Sequence, residues 1–258
     1  MVYRLRGFLR ISIAFAAVGL GTLLILAVAW VPLRARGARL GAWLATGLAR
    51  FLTRLFRIQF TCPDADKIRG HTGLVLPNHL SYVDVVLLMS ITPVRFVSMA
   101  ELRSWPFVGW IALAIDTVFV NRGDKSSRQE ARQQLARQDS YFPAIVLFPE
   151  GHISRTRDLL PFRYGAFEVA VNGRIPFLPC VFTYDPLPVV GWSDEPLLTA
   201  LWRLAAYGEP IQAQLQVLRV VEPRADDDPK QLALQTRGAM TAVLRYTGHE
   251  EDVLEPDI

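Results

Sequence analysis

The chain has 258 residues, of which 51% are hydrophobic, and its mean hydropathy is +0.23. These values are high for a freely soluble protein and low for one with many membrane spans, so they favour a globular domain attached to a membrane at one end. The formal charge of +4 at pH 7 suits nucleic acid, anionic lipid or small anionic substrates, and does not choose among them. The two cysteines, Cys62 and Cys180, lie far apart, which excludes a disulfide framework and a cysteine-rich zinc site.

The N-terminal region contains an uncharged stretch from Ile11 to Leu33. Arginines flank it on both sides: Arg4, Arg6 and Arg10 before it, and Arg34, Arg36 and Arg39 after it. As a helix this stretch would extend about 34 Å, enough to cross the hydrocarbon core of a bilayer. A cleaved signal peptide is an alternative, because residues 27–29 resemble a cleavage site, but the arginines that follow disfavour export. Since both flanks are basic, a helical hairpin or one-leaflet segment bending at Pro32 and Gly37 is an equal alternative to a span.

The next stretch, Arg39 to Phe56, predicts an amphipathic helix. Its apolar face carries Leu40, Leu44, Leu48, Phe51, Leu52 and Leu55, and the opposite stripe carries Arg39, Arg50, Arg54 and Arg57. Such a helix suits either the membrane interface or a place on the globular domain with its arginines in solvent. We therefore assign residues 1–58 to a membrane anchor and residues 59–258 to a globular domain.

Beyond Phe60, short β-rich runs alternate with longer helical runs, a pattern typical of an α/β domain. The predicted strands are Leu74–Leu76, Val94–Val97, Val118–Val120, Ala144–Phe148, Phe177–Phe182 and Leu215–Val221. The predicted helices are Ser81–Met89, Ser126–Arg137, Ala166–Asn172, Leu197–Ala206 and Lys230–Tyr246. Pro106–Val120 predicts a short helix that leads into a buried strand, since it is too short for a second span. We expect a mixed, largely parallel sheet flanked by helices, preceded by a membrane-associated helical segment.

Three predicted strands run directly into polar residues. The first leads to Asn78 and His79, the second to Arg122, and the third to Glu150 and Gly151. Ligands of α/β sheets bind outside the carboxyl ends of the strands, so these residues would line one crevice if the strands are parallel neighbours. A base, a cation and a carboxylate would then meet at one site.

The segment from Asn78 to Asp84 carries the most chemical information. Ser81 and Asp84 have the spacing of a capping box, which places His79 in the loop before a helix and Asp84 in its first turn. If His79 folds back, Asp84 can accept the Nδ1 proton and leave Nε2 to remove a proton from a hydroxyl. The alternative is that Asp84 only caps the helix and His79 is an ordinary loop histidine.

A serine hydrolase would also use a histidine and an aspartate. The sequence contains no G-x-S-x-G motif, and Ser81 is explained as a helix cap, so direct base catalysis without a covalent intermediate fits better.

The other polar residues after strands have alternatives as well. Arg122 can bind a phosphate or lie in an exposed surface turn, and Glu150 can contribute to the site or be exposed in a turn. The proline-bounded run from Ile175 to Pro179 indicates an edge strand or a pocket wall.

Four segments in order resemble the 1-acylglycerol-3-phosphate acyltransferase family, a branch of the glycerolipid acyltransferase superfamily. They are Asn78–Asp84, with the N-H-x-x-x-x-D pattern, Phe119–Arg122, Phe148–Gly151, with the F-P-E-G pattern, and Ile175–Pro179. The resemblance covers roughly residues 60 to 220. It implies the glycerolipid acyltransferase fold for residues 59–258.

The resemblance also implies roles for these residues. His79 would be the general base and Asp84 its orienter. The substrate-binding set would comprise Asn78, Arg122, Glu150, Gly151, Ser154 and Arg155, and the fourth segment would contribute to acyl or acceptor binding. The acceptor hydroxyl would attack the thioester of acyl-CoA or acyl-carrier protein directly, with no metal or prosthetic group. The expected partners are membrane lipid, a lysophospholipid acceptor and the acyl donor, with no nucleic acid.

Two departures from the family pattern bear on the acceptor. Asp116 stands where the second block usually has glycine, and His152-Ile153-Ser154 replaces the usual Thr-Arg-Ser, which leaves Arg155 or Arg157 as a substitute for the missing arginine. The expected function is a lysophospholipid O-acyltransferase that converts 1-acylglycerol-3-phosphate to phosphatidic acid at the cytoplasmic face of a bacterial inner membrane. The alternatives are another acceptor such as a lyso-ornithine lipid, a lysophospholipase, or a non-catalytic lipid-binding protein.

Overall fold

The computed structural model describes residues 2–31, 33–121, 123–136, 140–192 and 195–246. The N-terminal region folds as a hairpin of two helices, α1 (Val2–Ala29) and α2 (Leu40–Leu55), joined by the two-residue strands β1 (Arg34–Ala35) and β2 (Ala38–Arg39). At the turn between these strands, Arg36 and Gly37 both have positive φ (48° and 81°), as the tightest hairpin turns require. The expected bend at Gly37 is therefore present, whereas Pro32 lies outside the described residues.

The centre of the domain is a seven-stranded sheet. Its strands are β3 (Ile58–Thr61), β4 (Leu74–Pro77), β5 (Arg95–Met99), β6 (Val118–Val120), β7 (Ile145–Val146), β8 (Phe177–Asp185) and β9 (Ile211–Val217). They lie in the order β3-β9-β8-β4-β7-β5-β6, and every neighbouring pair is parallel except β8 and β9. The expected α/β architecture with a mixed, largely parallel sheet is confirmed.

Helices cover both faces of the sheet. They are α3 (Ala65–Arg69), α4 (Val83–Ile91), α5 (Val108–Ala114), α6 (Lys125–Ala136), α7 (Gly165–Gly173), α8 (Leu187–Val190), α9 (Leu197–Ala206) and α10 (Pro229–Tyr246), with a 3₁₀ turn at Ala100–Ser104. The buried side chains form two clusters, one under α2, α4 and α9 and one under α6, α7 and α10. The result is a three-layer domain with α1 packed outside α2.

The first helix contacts the rest of the protein along its whole length. Near its start, the Arg10 guanidinium donates hydrogen bonds to the carbonyls of Ala205 and Tyr207 at the end of α9 (3.1 and 2.7 Å). Further along, Gly21 lies against Leu48 of α2, so the two helices approach closely. In the described part of the chain, α1 is the one helix long and apolar enough to cross a bilayer.

Most predicted elements are present with shifted ends. Leu197–Ala206 and Val118–Val120 are found as predicted, and Pro106–Val120 contains α5 followed by β6. The strand β3 was not predicted. The last strand begins at Ile211 rather than Leu215, because its alternating buried and exposed residues start there and pair with β8.

The proline-bounded run was expected to form an edge strand or a pocket wall, and the edge-strand alternative is wrong. Its strand, β8, lies between β9 and β4 in the middle of the sheet. Pro179 is tolerated because β9 ends at Val217, opposite Cys180, so the missing N–H of Pro179 falls just beyond the β8–β9 ladder. The carbonyl of Pro179 instead accepts a hydrogen bond from the N–H of Leu218 (3.0 Å).

Candidate active site

Two loops meet at the carboxyl ends of neighbouring strands. The histidine loop (Asn78–Tyr82) follows β4, and the glutamate loop (Leu147–Phe162) follows β7. The strands pair in parallel, with Leu74 opposite Ile145 and Val75 opposite Val146, so their carboxyl ends lie side by side. This is the edge of the sheet at which the positions of polar residues after strands predict a shared site. Arg122, the third predicted contributor, lies outside the described residues.

His79 and Asp84 form a hydrogen-bonded pair. His79 lies before α4, Asp84 lies in its first turn, and His79 Nδ1 is 2.8 Å from Asp84 Oδ2. Asp84 is completely buried, whereas 15% of the His79 side chain is exposed. An ionised carboxylate can only accept, so in the neutral imidazole Nδ1 carries the proton and Nε2 has the lone pair. The pair has the geometry of a general base with its orienting group.

Asp84 also organises the histidine loop. The same Oδ2 atom accepts the backbone N–H groups of Leu80 (2.8 Å) and Ser81 (2.9 Å), as the reciprocal half of a capping box does. Asp84 Oδ1 accepts a hydrogen bond from the Tyr184 hydroxyl at 2.5 Å. The carboxylate that orients His79 is therefore held by four donors.

The His79 ring is fixed from its flat side by Phe148. The two rings are stacked, with centroids 3.8 Å apart and an interplanar angle of 18°. Because Phe148 belongs to the glutamate loop, this stacking ties the histidine to the second loop of the crevice. The imidazole is therefore held at its Nδ1 edge by the Asp84 carboxylate and on one flat face by the Phe148 ring.

Ser81 has no part as a nucleophile. Its side chain is buried, and its hydroxyl donates to the carbonyl of Val190 at 2.5 Å while it accepts the N–H of Val83 at 3.0 Å. A serine that caps a helix with its proton engaged elsewhere cannot present its Oγ to a thioester. The site therefore favours direct base catalysis over a serine hydrolase mechanism.

Asn78 was expected to bind substrate, but the structure uses its side chain to join the loop to the sheet. The amide is fully buried, its Nδ2 donates to the carbonyl of Phe182 (3.1 Å), and its Oδ1 accepts the N–H of Phe182 (2.6 Å). These two bonds extend the β4–β8 ladder past Pro77 by means of a side chain. Asn78 therefore anchors the start of the histidine loop to β8.

Glu150 was expected at the acceptor, and the structure turns it towards the backbone. Only 2% of this residue is exposed, and its two oxygens accept the N–H groups of His79 (2.7 Å) and Leu160 (2.8 Å). Burial raises the pKa of Glu150 to about 7, although the two amide donors and the nearby Arg237 act in the opposite direction. Glu150 therefore fastens the histidine loop to the glutamate loop.

Ser154 has a similar structural position. It is buried, its N–H donates to the His79 carbonyl at 2.7 Å, and its hydroxyl donates to the carbonyls of Thr156 and Asp158 (2.9 and 3.0 Å). Ser154 thus contacts the histidine loop through its backbone, and its expected role in substrate binding stays a prediction. Arg155, which follows it, is exposed.

Arg163, which the sequence did not point to, lies beside Gly151. Gly151 has a φ of +74°, and a Cβ added there would come within 2.7 Å of Arg163 Nε. The Arg163 guanidinium also lies 3.3 Å from His152 Nε2, and the residue is exposed. Arg163 lies twelve positions beyond Gly151 and outside the four segments that resemble the family, and only the folding of the glutamate loop brings it next to Gly151. It is a cation beside Gly151 and His152, in the loop whose Ile153 stands at the position of the family arginine.

The fourth segment, Ile175–Pro179, was expected to contribute to acyl or acceptor binding. It leads into the amino-terminal end of β8, where Phe177 pairs with Leu74, at the opposite end of the sheet from His79. Its apolar side chains belong to the core, and Pro179 at its end lies opposite Leu76, three positions before His79. A contribution of this segment to acyl or acceptor binding stays a prediction. Within the described ranges, no group of three or more His, Cys, Asp or Glu side chains could hold a metal ion.

Comparisons with known proteins identify the family of this chain. A family model described as "Acyltransferase" matches residues 59–183. A lyso-ornithine lipid O-acyltransferase of Pseudomonas aeruginosa is 32% identical over 256 residues, which cover 93% of this chain and 94% of that protein. The chain belongs to the 1-acylglycerol-3-phosphate acyltransferase family.

Other relatives differ in how much they share. The 1-acyl-sn-glycerol-3-phosphate acyltransferase of Neisseria gonorrhoeae is 26% identical over 138 residues, 52% of this chain and 54% of that protein. The crystal structure of the 1-acyl-sn-glycerophosphate acyltransferase of Thermotoga maritima superposes with a TM-score of 0.69 at 17% identity, over 95% of this chain and 97% of that one. That likeness confirms the expected fold, and the protein is an acyltransferase of this family.

Proposed function

We propose that this acyltransferase transfers an acyl chain to the hydroxyl of a membrane lysolipid, with His79 as general base. The observation that carries the proposal is the contact of His79 Nδ1 with the buried Asp84 carboxylate, which leaves Nε2 of the partly exposed neutral ring as a proton acceptor. Nε2 removes the proton of the acceptor hydroxyl as its oxygen attacks the thioester carbon of acyl-CoA or acyl-carrier protein. The new C–O bond replaces the C–S bond, and the imidazolium returns its proton to the departing thiolate.

We propose a lyso-ornithine lipid as the acceptor. The relative from Pseudomonas aeruginosa, named for that activity, matches over nearly the whole of both chains, whereas the Neisseria relative, named for 1-acylglycerol-3-phosphate, matches over about half of each. The loss of the family arginine at Ile153 supports the same choice, since a lyso-ornithine lipid has no phosphate to bind. Arg163 favours 1-acylglycerol-3-phosphate as the second candidate, because an exposed guanidinium beside Gly151 suits a phosphate.

We also propose that the protein attaches to one leaflet at the cytoplasmic face of the inner membrane. The outer side of α1 exposes large apolar residues, among them Phe15, Leu20, Leu23 and Leu24. The neighbouring α5 exposes Val108, Trp110 and Leu113. The other side of α1 packs on the domain, from its first turns to the part that contacts α2. A position along the membrane surface keeps both this packing and the contact of the exposed apolar residues with lipid, whereas a span would break one of the two.

The test uses purified protein in detergent with labelled acyl donor and a panel of lysolipids. We expect transfer to lyso-ornithine lipid above transfer to 1-acylglycerol-3-phosphate, and a loss of about 10²- to 10⁴-fold in His79→Ala. His152→Ala is the matched variant, because it removes an exposed imidazole of the neighbouring loop and should keep kcat within about threefold. Full transfer by His79→Ala would refute the mechanism.

The same assay separates the other readings. A lysophospholipase would release labelled fatty acid when no acceptor for transfer is present, and a lipid-binding protein would bind the lysolipids without turnover. Membrane attachment is tested by alkaline carbonate extraction and by protease added to inverted and right-side-out vesicles. Cleavage of the catalytic domain in right-side-out vesicles alone would contradict the cytoplasmic placement.

A further inference from the structure

A buried tyrosine lies behind the catalytic pair. Tyr184 belongs to β8 and is 4% exposed, with its ring stacked on Phe182 (centroids 5.9 Å apart, 12° between planes). Its hydroxyl donates to Asp84 Oδ1 at 2.5 Å, across 100 positions of sequence. The side chain is buried, and its hydroxyl contacts the His79–Asp84 pair through Asp84 Oδ1.

The hydrogen bond from Tyr184 reaches Oδ1 of Asp84, whereas the donors of the histidine loop reach Oδ2. Three donors reach Asp84 Oδ2: His79 Nδ1 and the N–H groups of Leu80 and Ser81. Within the described part of the chain, Tyr184 supplies the one donor to Oδ1. The three donors on Oδ2 already restrict rotation of the carboxylate about its Cβ–Cγ bond, and the donor on Oδ1 secures its second oxygen, so the plane is held from both sides. The plane of Asp84 sets the direction in which Nδ1 of His79 must point.

Tyr184 stays a donor under working conditions. Burial, and the negative charge of the adjacent Asp84, raise the pKa of the Tyr184 hydroxyl well above its usual range. A protonated phenol beside a buried carboxylate forms a charge-assisted hydrogen bond, which is short and strong. The distance of 2.5 Å agrees with that description.

We propose that Tyr184 is a positioning residue for catalysis, acting through Asp84 to orient His79. The proposal rests on the proposed function, in which His79 is the base. It predicts that removal of the Tyr184 hydroxyl lowers the rate of the chemical step without weakening substrate binding. The competing description is an ordinary core tyrosine, whose loss would lower stability and leave the chemistry unchanged.

The first test is a double-mutant cycle of Tyr184→Phe with Asp84→Asn. We expect Tyr184→Phe to lower kcat about tenfold, with KM within about twofold, in the wild-type background. In the Asp84→Asn background the same change should cost less than about twofold, because its route to His79 is already impaired. Tyr141→Phe is the matched control, since the Tyr141 hydroxyl donates to the Leu135 carbonyl (2.9 Å) away from the crevice. Equal losses in both backgrounds, or an unchanged kcat in Tyr184→Phe, would overturn the proposal.

The second test does not depend on knowing the acceptor. The Nδ1 proton of His79 should give a downfield proton resonance, assigned by its disappearance in His79→Ala. We expect this resonance to move in Tyr184→Phe and to stay in place in Tyr141→Phe. An unmoved resonance would overturn the proposal even if no lysolipid in the panel were acylated. If the resonance moved but His79→Ala kept full activity, the proposed mechanism would be refuted. The hydrogen-bonded link from Tyr184 through Asp84 to His79 would still stand.

Discussion

Replacement of Asp84 by alanine and by asparagine should have very different consequences. In Asp84→Ala, three buried donors lose their acceptor: the N–H groups of Leu80 and Ser81 and the Tyr184 hydroxyl. Each unsatisfied buried donor costs about 1–3 kcal/mol, so we expect a loss of about 4 kcal/mol or more. At about 2–4 °C per kcal/mol in a domain of this size, the thermal midpoint should fall by about 10 °C.

Asp84→Asn keeps an oxygen for the backbone donors and for His79 Nδ1. Its NH₂ group then faces Tyr184, whose hydroxyl can rotate to accept. We expect a midpoint within about 4 °C of wild type. The loss of charge should still lower kcat, since a hydrogen bond to a neutral acceptor is about 1–2 kcal/mol weaker than one to a carboxylate, or about 5- to 30-fold in rate.

The assay is thermal unfolding followed by near-UV circular dichroism in detergent, with kcat measured on the same preparations. Asp66→Ala is the control, because the Asp66 side chain is exposed and pairs with Arg69 at the surface. It should change stability by less than about 0.5 kcal/mol. If alanine and asparagine at position 84 were equally stable, the account of Asp84 as the acceptor for the histidine loop would be wrong.

Three further predictions concern the loops and the helix hairpin. Between about pH 4.5 and 7 the folded protein holds a proton on Glu150 that the unfolded chain releases, so its unfolding free energy should fall as pH rises through that window; in Glu150→Gln urea unfolding at pH 5 and 8 should show a flatter dependence. Gly151→Ala should cost about 1–2 kcal/mol for its positive φ and raise the acceptor KM more than it lowers kcat, because the new Cβ displaces Arg163; an unchanged KM would remove Arg163 from the acceptor site. Arg50→Met should cost about 1–3 kcal/mol in thermal unfolding, since the guanidinium donates to two carbonyls at the end of α4, whereas Arg54→Met on the same helix should cost less than about 0.5 kcal/mol.

The His79–Asp84 pair could be predicted because the two residues are five positions apart. Their spacing and the capping position of Ser81 fix the local geometry with little help from the rest of the chain. The structure agrees, with His79 before α4 and its Nδ1 on Asp84. Hydrophobic periodicity likewise identified the α/β class and most strands, since a strand buried between helix layers has a distinctive composition.

Roles that depend on distant partners could not be predicted. A buried asparagine paired with Phe182, and a glutamate paired with backbone amides, have the same residue types as substrate ligands. Only the fold shows that Asn78 and Glu150 hold loops together. Arg163 was missed for the related reason that no spacing rule connects it to Gly151.

The sequence by itself determined the fold class, the apolar N-terminal helix, and a histidine and an aspartate ready to pair, because each of these is set by neighbours along the chain. The tertiary structure decided what surrounds that pair. The order β8-β4-β7 places Tyr184 behind Asp84 on one side and Glu150 against the His79 loop on the other. Strand order follows from long-range pairing and the packing of helix layers, which leave no periodic trace in the sequence.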